Sequence, residues 1–113
     1  MRLWIIPALA IAVGCSGGQQ AATPAPQPAD PYRIAITGFK FRPATLTVPV
    51  GTTVTWQNLD MTPHTVTSAA VDDRFDSGSL SPHATYAHTF TKPGRYQYLC
   101  VPHGGMQGVI IVE

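Results

Sequence analysis

The chain has 113 residues, a formal net charge of +1, two cysteines, four histidines and three methionines. From Asp30 to Glu113 six basic residues (Arg33, Lys40, Arg42, Arg74, Lys92, Arg95) balance six acidic ones (Asp30, Asp60, Asp72, Asp73, Asp76, Glu113). This excludes nucleic acid as a partner, because phosphate binding needs clustered positive charge; the 84 residues of that region suffice for one small domain with a modest core.

In chain order, Met1-Arg2 is a short positive start and Leu3 to Val13 an apolar run broken only by Pro7. The run is too short to span a bilayer as a mature helix and reads as the apolar region of an export signal. Ala12-Val13-Gly14-Cys15 resembles the lipobox of bacterial lipoproteins, although Ala12 stands where a larger aliphatic residue is commoner. The resemblance implies a signal peptide over 1–14 and acylation of Cys15. That would anchor an exported protein to a bacterial membrane, facing the periplasm or the cell exterior. Residues 15–29 form a Pro/Gly/Ala-rich linker without charge before Asp30, in which Pro24, Pro26 and Pro28 favour an extended, semi-rigid spacer.

Residues 30–113 form the folded domain. No stretch keeps a helical period for three turns, whereas two-residue alternation recurs. Strands are predicted at Tyr32–Phe41, Thr45–Val50, Thr52–Asn58, His64–Ser68, Ala84–Thr91, Gly94–Cys100 and Gly108–Val112. Arg42-Pro43, Pro49-Val50-Gly51, Asp76-Ser77-Gly78 and Lys92-Pro93-Gly94 punctuate them as turns. Seven or eight short antiparallel strands at such spacing predict an all-β Greek-key sandwich. Ala69 to Pro82 has no period and reads as a long loop with room for a short strand near Phe75. Strand parity turns Val54 and Trp56 inward, pairs His64 with Val66, and sets Cys100 on the face of Tyr96 and Tyr98. Phe39 and Phe41 are expected in the core.

With Cys15 acylated, Cys100 has no partner in the domain, so it is a reactive thiol, an intermolecular bridge or a metal ligand. The segment Cys100-Val101-Pro102-His103-Gly104-Gly105-Met106 decides between these readings, since it sets a thiolate, an imidazole and a thioether at positions 0, +3 and +6. Gly104 and Gly105 are expected to let a tight loop turn its donors to one point. His64 supplies a fourth, inward-facing donor. The set His64, Cys100, His103 and Met106 matches the trigonal His₂Cys site with a long axial methionine that binds a single Cu(I)/Cu(II) ion. Zinc prefers four firm ligands, for which a thioether is poor. His83 is expected in a loop and not on metal, His88 as a hydrogen-bonded structural histidine beside Tyr86 and Phe90, and Met61 at the rim of the site.

The domain resembles the cupredoxins, the type 1 blue-copper family, and the Cys-x₂-His-x₂-Met loop running straight into a last strand is most similar to amicyanin. The resemblance implies eight strands with copper near one end and a carrier of single electrons. It also implies that His103 presents its ring edge as the electron port, within an apolar rim of Pro102, Gly104, Gly105 and Met61 where redox proteins dock. The backbone N–H of Thr65 would point at the Cys100 sulfur, while Pro102 has no N–H to add a second bond. The ligands have no acid–base pair beside them and no open equatorial position, so no enzyme is expected. The protein is expected as a monomer. A copper delivery protein of the periplasm or cell surface is the alternative, and it would need an exposed, flexible Met- or His-rich site.

Overall fold

The computed structural model describes residues 31–70 and 73–113. The signal peptide, Cys15 and the linker expected over 1–29 lie outside the described residues. Eight strands follow in order: β1 Arg33–Thr37, β2 Lys40–Arg42, β3 Thr45–Val48, β4 Thr52–Asn58, β5 Thr67–Ser68, β6 Thr85–Phe90, β7 Gly94–Cys100 and β8 His103–Val112. They form two four-stranded sheets, β2-β1-β4-β6 and β3-β8-β7-β5. The all-β sandwich expected from the alternation is therefore present.

Its pairing differs from the antiparallel expectation in two places, since β1 runs parallel to β4 and β3 parallel to β8. Parallel neighbours cannot be joined by a hairpin and need a crossover. Here β3 supplies part of that crossover: the chain leaves the first sheet after β2, runs one strand in the second, and returns as β4.

Alternation along the strands builds the core between the sheets. Ile34 and Ile36 of β1, Val54 and Trp56 of β4, Phe90 of β6, Tyr98 of β7 and Ile110 of β8 are all buried. Trp56 is the hub, with Tyr98 edge-on at 5.5 Å, Tyr86 at 5.8 Å and Phe75 stacked at 6.0 Å between ring centroids. Such aromatic contacts add about 0.5–1.5 kcal/mol each beyond area burial. Tyr98 faces Gly108 across β7 and β8, and a Cβ built on Gly108 would fall on the Tyr98 ring. Glycine is therefore required there for close approach, in a strand that otherwise favours β-branched residues.

Two predicted strands keep their bounds, two are trimmed at their ends to Thr45–Val48 and Thr85–Phe90, and three differ more. The run Tyr32–Phe41 is broken into β1 and β2 by a two-residue hairpin at Gly38-Phe39, both at positive φ (60° and 56°). Positive φ at both central residues is what the primed hairpin turns need. Gly38 is the sequence signal for it. The predicted strand His64–Ser68 reduces to β5 and a single bridge between His64 and Leu80, and the Phe75 region adds one bridge, Thr67 to Asp76. The last strand starts at His103, five residues before the predicted Gly108.

Candidate metal centre

Cys100 ends β7 and His103 opens β8, with Val101-Pro102 as the turn between them, so these two candidate ligands are cross-strand partners. One residue earlier Leu99 already pairs with Gln107. Three residues of β8, Gly104 to Met106, therefore bulge out of the ladder. A bulge re-aims side chains, and here it leaves Met106 buried at 5% exposure beside the half-buried His103. Gly104 and Gly105 are not in the left-handed conformation, and a Cβ on either would meet nothing within 4 Å. The loop folds back tightly without a left-handed glycine, and Gly104 and Gly105 leave a bare surface beside His103.

His64 comes from the loop after β4 and is fully buried. Backbone bonds in both directions tie it to Leu80 (2.7 and 3.2 Å). The ligand atoms of His64, Cys100 and His103 lie within 4.8 Å of one another. Both imidazoles present Nδ1 to the Cys100 sulfur, at 3.6 Å from His64 and 3.5 Å from His103. Two donors each roughly 2 Å from a shared ion stand about 3–4 Å apart, so this arrangement fits one metal ion.

The surroundings fix this geometry. The Thr65 N–H donates to the Cys100 sulfur at 3.3 Å, as the resemblance implied, and the Val101 N–H donates to Thr65 Oγ1 at 2.9 Å. Thr65 thus also ties down the ligand turn.

Asp60, which no motif in the sequence marks, accepts from the backbone N–H groups of Gly38 (2.8 Å) and Phe39 (2.9 Å), and its Oδ2 meets His64 Nε2 at 2.9 Å. Desolvation alone would raise its pKa, but the N–H groups of Phe39 and Gly38 and the contact with His64 together hold it below the ordinary carboxylate value. An ionised carboxylate only accepts. His64 therefore carries its proton on Nε2 and keeps Nδ1 free for metal.

Buried Asn58 shapes the loop that delivers Asp60. Its side-chain amide donates to the carbonyls of Thr62 (3.0 Å) and Leu80 (2.9 Å), and its Oδ1 accepts from the Asp60 N–H (3.0 Å).

Phe39, expected in the core, is instead 48% exposed, because the hairpin turn carries it out of the strand alternation. Its ring stands edge-on to both His64 (5.0 Å, 88°) and His103 (5.1 Å, 89°). Phe41, Val54 and Trp56 are buried as expected. Met61 is 81% exposed. His83 lies in a loop, with its backbone N–H on the Asn58 carbonyl. His88 packs on Phe75 and Phe90, each at 4.8 Å. The hydrogen bond expected for it is not formed among the described residues, where Asp73 Oδ1 stands 4.0 Å from Nε2.

Two imidazoles and a thiolate converging at one end of a β-sandwich, with a buried methionine on the same bulge, define the type 1 copper class. The profile of copper binding proteins of the plastocyanin/azurin family matches residues 31–113. Amicyanin-alpha of Methylorubrum extorquens is 33% identical over 89 residues, 76% of this chain and 75% of that one. The structure of a novel purple cupredoxin from Nitrosopumilus maritimus matches with a TM-score of 0.67 and 32% identity, over 72% of this chain and 98% of that one. A copper-containing nitrite reductase from Thermus scotoductus SA-01 also matches (TM-score 0.69, 34% identity), over 74% of this chain but 22% of the reductase. The chain belongs to the plastocyanin/azurin family of copper-binding proteins. It is a blue-copper electron carrier of amicyanin-like kind, and its donor set fits one copper ion.

Proposed function

We propose that His64, Cys100 and His103 are the equatorial ligands and Met106 the axial one, in a carrier that is exported and held to a membrane by lipid on Cys15. The convergence of both Nδ1 atoms on the buried Cys100 sulfur carries the ligand assignment. Copper, when bound, supplies a one-electron Cu(II)/Cu(I) couple. Every other task falls to the chain. Asp60 fixes the His64 tautomer, Thr65 donates to the thiolate, and Pro102 withholds a second donor, which leaves electron density on sulfur.

Docking is proposed at the end where His103 lies. Among the described residues, four of the five exposed large apolar side chains, Phe39, Leu59, Met61 and Val101, belong to the segments that carry or flank the proposed ligands. A redox protein with an apolar face suits this surface better than a charged one. The chain acts as a monomeric carrier and not as an enzyme: three donors face one point, and the reductase it resembles in part is several times longer. Full burial of Cys100 and His64 argues against a copper delivery protein, which must release its ion.

Voltammetry of the protein loaded with one equivalent of copper tests the carrier reading. A reversible one-electron wave is expected, and Met106→Leu should move it positive by on the order of 60 mV, a tenfold change in preference for Cu(I). Loss of copper on reduction would favour delivery, and an unmoved wave would remove Met106 from the axial position.

A further inference from the structure

The two histidines are held unequally. His64 has a carboxylate on Nε2 and reciprocal backbone bonds to Leu80. For the ring of His103 the polar contact among the described residues is Nδ1 to the Cys100 sulfur, the very atom that faces the metal. Its neighbours Gly104 and Gly105 offer no side chain to lean on. A groove of about 480 Å³ borders the ring, lined by Phe39, Phe41, Ala44, His103, Gly104 and Met106 among others. The orientation of His103 therefore needs another source.

Phe39 has the opposite difficulty, since folding alone does not explain it. It is half exposed, so its ring gains little from burial, and it sits at φ 56°, where glycine or asparagine is at ease and a bulky residue is strained. Asp60 holds it there by accepting the N–H of Phe39 and of Gly38. Strain maintained by the surroundings is a pointer to function. What the strain achieves is visible in the ring contacts: Phe39 meets both imidazoles edge-on, at nearly equal distances.

We infer that Phe39 is a positioning residue for His103: its ring fixes the imidazole plane that the ligand turn leaves free, and it closes the space above both histidines to small molecules. The inference rests on the copper reading above. Through the shared carboxylate, Asp60 orients one histidine directly and the other by way of Phe39. Removing the ring would join the groove to the space over the imidazoles and give an exogenous nitrogen donor a path to the site.

The test compares copper-loaded wild type, Phe39→Gly and Phe39→Tyr during titration with free imidazole, following the thiolate-to-copper absorption band and the electron paramagnetic resonance signal. Unfolding of the three metal-free proteins is measured alongside. Phe39→Gly is expected to be at least as stable as wild type without metal, because glycine suits φ 56°. Loaded with copper, it should lose the band at an imidazole concentration about tenfold or more below that needed by wild type. Phe39→Tyr, which keeps the ring, should behave as wild type.

A Phe39→Gly protein that resists imidazole as wild type does would overturn the inference, and so would a Phe39→Tyr protein that opens like the glycine variant. Marked loss of metal-free stability in Phe39→Gly would make the ring a folding element and overturn it as well. A wild type that never develops the band would overturn the copper reading beneath it.

Discussion

Asp60 and Asn58 show how polar residues at single positions set the geometry of this centre. Asn58 organises the loop, the loop presents Asp60, and Asp60 orders the Gly38-Phe39 turn and the His64 ring at once. Outer partners of this kind are worth about 10- to 100-fold in metal affinity. Asp60→Ala should therefore weaken copper binding by that order, measured by competition with a chelator, while Cys100 and both histidines remain. The four proposed ligands are legible in the sequence because a thiolate, an imidazole and a thioether at fixed spacing are chemically unusual together. Asp60, Asn58 and Phe39 are not, since each acts through a contact made by folding. Phe39 in particular reads as a core aromatic until the turn at Gly38 swings it to the metal end.

At the scale of elements, the ligand hairpin is a two-strand device: β7 and β8 hold Cys100 and His103 face to face, and the bulge turns Met106 inward. Below it, the aromatic layer supports the hairpin through Tyr98, two residues from the thiolate. Neither the Tyr98 phenol nor the Trp56 indole N–H has a partner at hydrogen-bond geometry, although the indole lies close enough to favour the phenolate slightly. Burial dominates and pushes the Tyr98 pKa up to about 12.

Above the unfolded value of about 10 the unfolded chain loses the phenol proton while the folded one keeps it. Stability is therefore intact below about pH 10 and falls by about 1.4 kcal/mol per pH unit until about 12. Urea unfolding across that range should show at least this slope, because burial raises Tyr86 and Tyr96 as well, and Tyr98→Phe should reduce it; an equal slope in both would place the effect elsewhere. The inward faces of these strands are legible from two-residue alternation alone. Strand ends are less so, because a turn such as Val101-Pro102 and a bulge such as Gly104–Met106 are settled by cross-strand register, which no local pattern records. The parallel pairings are hidden for the same reason.

Residues 30–113 carry no net formal charge, and among the described residues apolar side chains gather near His103; for the docking proposed there, this suits brief, unsteered encounters more than electrostatic capture. Tethering would offset slow encounter by keeping carrier and partner at one membrane. Mass measurement of the protein from its native host should show an acyl adduct on Cys15, and Cys15→Ala should yield a soluble or unprocessed form. A mature terminus elsewhere without lipid would leave simple export. The expected boundary at Asp30 rests on composition alone, and the residues before it lie outside the described ones.

The central claim is that Cys100 and two histidines share one copper ion, and the visible absorption spectrum of the copper-loaded protein tests it most directly. An intense thiolate-to-copper band toward the red end is predicted for wild type, lost in Cys100→Ser while the metal-free fold survives. A weak band in wild type, or an intense one retained by Cys100→Ser, would contradict the account.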